Sequence, residues 1–426
     1  MAKRDTPWFP LDNAGTMYSA LQKEQYSAIY RFSAYMTEEV DPEALQRAID
    51  KTMPRFPTFG VRIRRGVFWY YLEPNDAPGP FLKQDVADPC QPVRFKEDNR
   101  WLVRFYYYKH RISIEVFHAL SDGTGGLIFF RSLLRAYLME LGHNDIPCGP
   151  GLLDIAEEPR PAEREDAYLQ YAGGPSRAPV LVKRSYQNLG EPEPFYTFHV
   201  TMGFIPVDKV KAKAREYSAS ITEYLAAVLL RVLLEKQHRE NPHKEMPVAL
   251  AVPVDLRGLF PTESLRNFIL TVQPVIDPAL GEWTFPQIVA QVHHYMRLHI
   301  IPQELRAIFT RNVRYQSSRF LRCIPRPLKD TVVSRSYRNR GVLPYSAIFT
   351  NPGLFKVPAE MAPHIDHMEV VLGQATVPRP HVSSISFGNT MEVTFAGTQK
   401  DADTAREFFR YLVKDGIPVK IESNRR

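Results

Sequence analysis

The stretch from Arg111 to Leu141, RISIEVFHALSDGTGGLIFFRSLLRAYLMEL, constrains this chain more than any other. Over residues 112–117, branched apolar and polar side chains alternate through Ile112, Ser113, Ile114, Glu115 and Val116. That period of two is the pattern of a strand with one buried face. Over residues 127–141, Leu127, Phe130, Leu134, Tyr137, Leu138 and Leu141 recur at spacings of three, four and seven, along one face of an amphipathic helix. Between them lies a turn of small residues, His118 to Gly126. A strand, a tight glycine turn and a helix put one histidine, His118, at a strand end facing whatever crevice lies there.

Histidine suits such a place chemically. Its ordinary pKa of about 6.5 leaves a neutral ring nitrogen able to take a proton from an alcohol, amine or thiol. Asp122, four residues on, can fix the loop by accepting from backbone amides or an arginine. Gly123 removes a side chain where the chain turns sharply or a ligand comes close. Ser121 lacks the Gly-x-Ser-x-Gly elbow of a hydrolase nucleophile, and Gly123 to Gly126 lack the flanking pattern of a dinucleotide or phosphate loop.

His118-x-x-x-Asp122-Gly123 resembles the HxxxDG signature of the acyltransferases related to chloramphenicol acetyltransferase. That superfamily includes plant BAHD acyltransferases, condensation domains of peptide synthetases and alcohol acetyltransferases, and the chain looks most like its alcohol acetyltransferase-like branch. Further motifs fall in the same order as in that group. Pro253-Val254-Asp255-Leu256-Arg257, followed by Arg266-Asn267-Phe268, is similar to its P-V-x-L-R and R-N-F segments. Phe349 to Gly353 resembles its S-N-x-G strand end, and Ser386-Phe387-Gly388-Asn389 stands where a late structural motif occurs. Phe117 replaces the first of two adjacent histidines that many relatives carry.

The resemblance implies an α/β fold of two similar lobes, each a mixed β-sheet with flanking helices, and an active-site tunnel between them. It implies transfer of an acyl group, acetyl first among the candidates, from a coenzyme A thioester to a hydroxyl acceptor. His118 would act as general base, with no covalent acyl-enzyme. Acyl-CoA would then be a co-substrate, with no tightly bound cofactor and no metal. Amide formation on an amine by the same histidine, and a non-catalytic binding or scaffold protein that keeps the fold, are the alternatives. Arg257 matches the second-lobe arginine that pairs with the aspartate of the signature, and a bidentate contact with Asp122 is expected. Gly123 completes the structural part of the site. Phe117, Thr124, Gly126 and Asn267 are expected along the substrate channel, Asn267 as a brace or polar lining. Ser383, Ser384 and Ser386 are candidates for the donor to the tetrahedral oxyanion.

Length and composition fit that expectation. A chain of 426 residues exceeds one ordinary domain and suits two packed halves of roughly 200 residues each. An apolar content of 44% with 12% aromatics is ample for real cores. The net charge of +7 is spread along the sequence, concentrated only at Arg335 to Arg340 and Asn424 to Arg426. No nucleic-acid motif accompanies it, and a mildly basic surface suits an anionic thioester. Cys90, Cys148 and Cys323 are too few and scattered for a disulfide framework, which points to a reducing compartment. No run approaches the ~20 apolar residues of a membrane span, and residues 224–234 read as a core helix. A cytoplasmic monomer acting on a small alcohol or amine is expected.

Residues 1–146 are expected to form the first lobe and 195–426 the second. Residues 147–194, with eight of the 36 prolines, are expected to connect them. In the first lobe a strand is expected at 32–36, a helix capped by Asp41 with Pro42 at its first position, a hairpin over 59–72 hinged at Arg65-Gly66, and a strand over 101–108. In the second, strands are expected at 196–205, 247–254, 368–371, 382–387 and 391–396, and helices at 207–217, 223–237, 287–299 and 402–414. His293, His294 and His299 do not share a helical face with a carboxylate, and with His364 and His367 they are expected to be surface or packing residues rather than ligands.

Overall fold

The computed structural model describes residues 8–425 except 22–25, 86–87, 95–96, 180, 195–196, 244, 319–322 and 375–378. Tyr196 and Arg426, which belong to segments singled out above, lie outside the described residues. Two sheets dominate. The first orders its strands as Ile365–Leu372, Ile29–Met36, Arg111–Phe117, Val103–Tyr108 and Leu82–Gln84. The second runs Ile269–Val272, Val248–Asp255, Ala347–Leu354, His381–Phe387, Thr390–Gly397, His199–Pro206 and Lys420–Ser423, with Val275–Ile276 also on the Val248–Asp255 strand. Both sheets mix parallel and antiparallel pairs. A small third sheet joins Phe9–Pro10, Tyr70–Pro74 and Val61–Arg65.

In the first half, Arg111–Phe117 is the strand its alternation predicts, but both of its faces are buried: Ser113 and Glu115 lie against Ser33, Arg31 and Arg104 rather than solvent. Ile112, Ile114 and Val116 sit beneath helices Pro42–Thr52 and Gly123–Glu140 in one apolar core. Asp41 caps the first of these helices by accepting from the amides of Glu43 and Ala44. The second half packs helices Val207–Glu216, Ile221–Glu240, Phe285–His299 and Asp403–Lys414 against its sheet in a separate core. Ile221–Glu240 is a buried core helix opened by a Ser220/Glu223 capping box. Among the described residues, no single helix is long and apolar enough to cross a membrane.

One strand crosses the expected division. Ile365–Leu372, from the segment assigned to the second lobe, pairs antiparallel with Ile29–Met36 and completes the first sheet. Its outer edge is covered by side chains of the second sheet. Ser383 Oγ donates to the Val370 carbonyl at 2.7 Å, and the Val370 amide donates to Glu392 Oε2 at 3.4 Å. Hydrogen-bonding groups that would otherwise lie open on an edge are thus satisfied at the junction of the halves.

The proline-rich segment lies against both halves as a strap. Glu163 takes two hydrogen bonds from the buried Arg55 of the first half, 2.6 and 2.7 Å long. The amide of Leu265, in the second half, donates to the Glu163 carbonyl at 2.9 Å. The short helix Ala167–Tyr171 packs with Leu256, Phe260, Phe268 and Phe309 in a small core of its own. That core underlies the loop from Leu256 to Phe268, which forms one wall of the site.

Candidate functional site

His118 follows directly on the strand Arg111–Phe117, its amide held by the Ala28 carbonyl at 2.8 Å. The helix begins at Gly123 rather than at residue 127, because Asp122 caps it. The Oδ1 of Asp122 accepts from the Gly125 amide at 3.1 Å. The glycines expected in the turn therefore form the first helical turn. Gly125 and Gly126 are required by close approach. A Cβ at Gly125 would lie 2.2 Å from the Leu265 carbonyl oxygen, and one at Gly126 would lie 2.5 Å from the Tyr30 hydroxyl. Gly123 is under no such demand, since a Cβ there would meet only Phe32, at 3.9 Å.

The loop after His118 is sewn to the second half at five points. Asp122 is fully buried, and its Oδ2 accepts from Arg257 Nη1 at 2.8 Å and from the Phe268 amide at 2.7 Å. Ser121 Oγ donates to the Leu265 carbonyl at 2.6 Å, and Thr124 Oγ1 donates to Asp255 Oδ2 at 2.8 Å. His118 Nδ1 lies 3.0 Å from Asn267 Oδ1. Arg257 sits in a short turn, Leu256–Gly258, just beyond its strand. Its contact with Asp122 is single rather than bidentate, because the fork of the guanidinium is spent elsewhere. Nε and Nη2 both donate to the Ser264 carbonyl, at 3.1 and 3.0 Å, and Nη2 also reaches the Arg266 carbonyl at 2.6 Å. Burial alone would lower the arginine's pKa, but the carboxylates of Asp122 and Asp255 raise it above its ordinary value and keep it charged.

His118 is enclosed by aromatic rings. Tyr18 stacks on its imidazole with centroids 4.3 Å apart, and Tyr30 meets it edge-on at 5.2 Å. Burial pushes the imidazole pKa below its ordinary value, against the opposing pull of Asp122, of the hydrogen bond with Asn267 and of one with the backbone of His118 itself. The ring is accordingly neutral near pH 7 and can accept a proton.

Several expected substrate contacts fall elsewhere. Phe117 is 1% exposed and belongs to the first core. Gly126 serves the packing of Tyr30, and the Thr124 hydroxyl is engaged by Asp255. Ser383 and Ser386 spend their hydroxyl protons on the Val370 and Gly353 carbonyls, whereas the buried Ser384 hydroxyl has no hydrogen-bond partner among the described residues. The histidines expected to be surface or packing groups meet carboxylates and aromatic rings, His367 also lying 2.6 Å from Asp366. His293 meets Glu223, His299 meets Glu304, and His367 stacks on Tyr35.

Two site residues lie far upstream, where the sequence offered little. Helix Asn13–Leu21 brings Tyr18 over the histidine and is preceded by Asp12. Asp12 is fully buried, accepts from the Gly15 amide at 2.7 Å, and faces Asn267 Nδ2 at 3.3 and 3.2 Å from its two oxygens. Its one local signal is the helix-opening pattern Asp-x-x-Gly.

The fold is the two-lobed α/β architecture shared by acyltransferases and condensation domains. Polyketide synthase associated protein 5 from Mycobacterium tuberculosis superposes with a TM-score of 0.62 at 15% identity, covering 95% of this chain and 96% of that one. TRI3 trichothecene 15-O-acetyltransferase from Fusarium sporotrichioides gives 0.61 at 9% identity, with 96% and 94% covered. The condensation domain of the Monacolin K polyketide synthase MokA gives 0.59 at 11%, with 96% of each chain covered. No family model and no curated protein sequence matches.

Proposed function

We propose that the protein transfers an acyl group, acetyl first among the candidates, from a coenzyme A thioester to the hydroxyl of a small acceptor, with His118 as the general base. The observation that carries this reading is the neutral imidazole held by Asn267 where loops of both halves converge. With Nδ1 engaged by Asn267, Nε2 is the nitrogen left for chemistry. Nε2 takes the acceptor's proton as its oxygen attacks the thioester carbonyl. The carbon–oxygen bond forms, the carbon–sulfur bond breaks, and the proton passes from the imidazolium to the departing thiolate. Nothing in that sequence calls for a covalent acyl-enzyme. Asp122 and Arg257 touch no reacting atom; they fix the histidine loop to the second half. The trichothecene acetyltransferase likeness supports a hydroxyl acceptor, and the condensation-domain likeness keeps an amine acceptor in the comparison.

The test is thiol release from acetyl-CoA and longer acyl-CoAs, offered with pooled alcohols and pooled amines, with the product weighed by mass spectrometry. Thiol release that depends on alcohol and yields an ester is the expected result. Release that depends only on amines would replace the hydroxyl acceptor by an amine. No transfer from any acyl-CoA would remove the thioester donor.

A further inference from the structure

We propose that Asp12 is a positioning residue that sets the tautomer of His118 through the side-chain amide of Asn267. The inference rests on the reading of His118 as a base. Three segments far apart in sequence meet here in a row. Asp12 stands before helix Asn13–Leu21, Asn267 lies in the loop between Leu256 and the strand Ile269–Val272, and His118 ends its own strand.

Hydrogen-bond chemistry settles the polarity of that row. An ionised carboxylate only accepts, so Asn267 must turn its NH2 toward Asp12, whose oxygens lie 3.3 and 3.2 Å away. The Asn267 carbonyl oxygen is then the atom that faces His118 Nδ1, at 3.0 Å. A carbonyl oxygen also only accepts, so Nδ1 must carry the ring proton. Nε2 is left with its lone pair, the state a base requires. Without the acid, the amide is free to turn over. Its NH2 would then compete for Nδ1 with the hydrogen bond to the backbone of His118 itself and shift the ring proton toward Nε2, where it would block acceptance from substrate.

Asp12 keeps its charge at neutral pH against the cost of its burial. The Gly15 amide bonds one oxygen at 2.7 Å, and Arg266 Nε stands 3.6 Å from the other. The other titratable groups acting on or near it are Asp166, Tyr18 and Tyr168. Burial raises its pKa to about 6, opposed first by Arg266, which leaves it ionised at pH 7 and above. Arg266 itself is tied to the Pro10 carbonyl at 2.8 Å, so the cation belongs to the same N-terminal segment that places the acid.

The proposal is tested by nitrogen-15 NMR on protein labelled at histidine, with the His118 signal identified by its absence from His118→Gln. In the wild type above its pKa, His118 should carry its proton on Nδ1. Asp12→Asn has the same shape but presents both a donor and an acceptor. It should shift the population toward Nε2–H and lower kcat toward the roughly 10²–10⁴-fold that general-base catalysis contributes, with KM for acyl-CoA little changed. In the swapped variant Asp12→Asn/Asn267→Asp, the amide introduced at position 12 donates to the carboxylate introduced at position 267, which in turn accepts from Nδ1–H. This variant should restore the Nδ1–H tautomer and part of the lost kcat, which rescue of a helix cap alone would not do. Should the single variant fail to fold, the wild-type and swapped proteins still decide the matter. A wild-type His118 protonated on Nε2, or a swapped variant without Nδ1–H, overturns the proposal, as does an unchanged tautomer in Asp12→Asn. Full turnover in His118→Gln with these tautomers intact would instead remove the base assignment and leave the positioning role standing.

Discussion

Removing the carboxylate of Asp122 should destabilise the protein more than any other single change in the HxxxDG loop. Asp122→Ala takes away the cap of helix Gly123–Glu140, a loss of about 0.5–2 kcal/mol. It also strips a buried partner from Arg257, where breaking a buried pair costs about 3–5 kcal/mol. Arg257 is 11% exposed and keeps Asp255, itself 40% exposed, together with its carbonyl contacts, so the low end of that range applies. The Phe268 amide loses its acceptor as well. A total of about 4 kcal/mol follows, a large part of the ~5–15 kcal/mol that holds a typical protein folded. The assay is urea unfolding of wild type, Asp122→Ala, Arg257→Ala and the double variant. Because the two residues share one contact, the double variant should cost less than the sum of the singles by about 1–3 kcal/mol. Additivity within ~0.5 kcal/mol, or wild-type unfolding of Asp122→Ala, would refute the claim that this pair joins the halves.

Arg257→Lys should remain impaired in stability and turnover, since a single ammonium cannot reach Asp122 and the Ser264 and Arg266 carbonyls together; wild-type values for both would contradict this. Gly125→Ala and Gly126→Ala should lose about 1–3 kcal/mol by overpacking, Gly125 the more because its obstacle is backbone, whereas Gly123→Ala should unfold at nearly wild-type urea. Equal losses at positions 123 and 125 would show that the close approach to Leu265 is wrong. The rate should rise with pH over a range below the ordinary histidine pKa, because the active form needs both the neutral His118 ring, favoured by burial, and the ionised Asp12, whose pKa is raised to about 6; a midpoint above the ordinary histidine value would point to another group. Burial, helped by Arg379, also holds His381 down to about 3 from its ordinary 6.5. A depressed histidine pKa means full stability above about pH 6.5, lost as pH falls toward 3, by up to roughly 5 kcal/mol. His381→Gln should flatten that acid limb, and an unchanged limb would assign it elsewhere.

Much of this architecture was legible because local chemistry and tertiary packing agree. Ile112, Ile114 and Val116 announce their strand, Asp41 and Ser220 open their helices, and the period of the 127–141 segment carries through to the core. The start of the Gly123–Glu140 helix was misplaced because its first turn holds glycines rather than apolar residues, and only the Asp122 cap marks it. Sheet membership was not legible at all. Met368, Val370 and Val371 read as a strand, but nothing local says that its partner is Ile29–Met36 rather than a neighbour in sequence. In the site, His118, Asp122, Asn267 and Arg257 could be named from motifs because each sits in a short recognisable run. Asp12 and Tyr18 could not, since their meaning depends on a contact a hundred residues or more away. Ser383 and Ser386 were indistinguishable from Ser384 for a related reason: which hydroxyls are spent on carbonyls is decided by the junction of the sheets.

The most direct measurement of the central claim is single-turnover acyl transfer by wild type and His118→Ala, with saturating acyl-CoA and the best acceptor found. The account predicts that His118→Ala folds as wild type does, binds acyl-CoA, and transfers the acyl group on the order of 10²–10⁴ times more slowly. No acyl group should remain on the protein in either case. Transfer by His118→Ala within a few-fold of wild type, or an acylated protein accumulating before product, would contradict it.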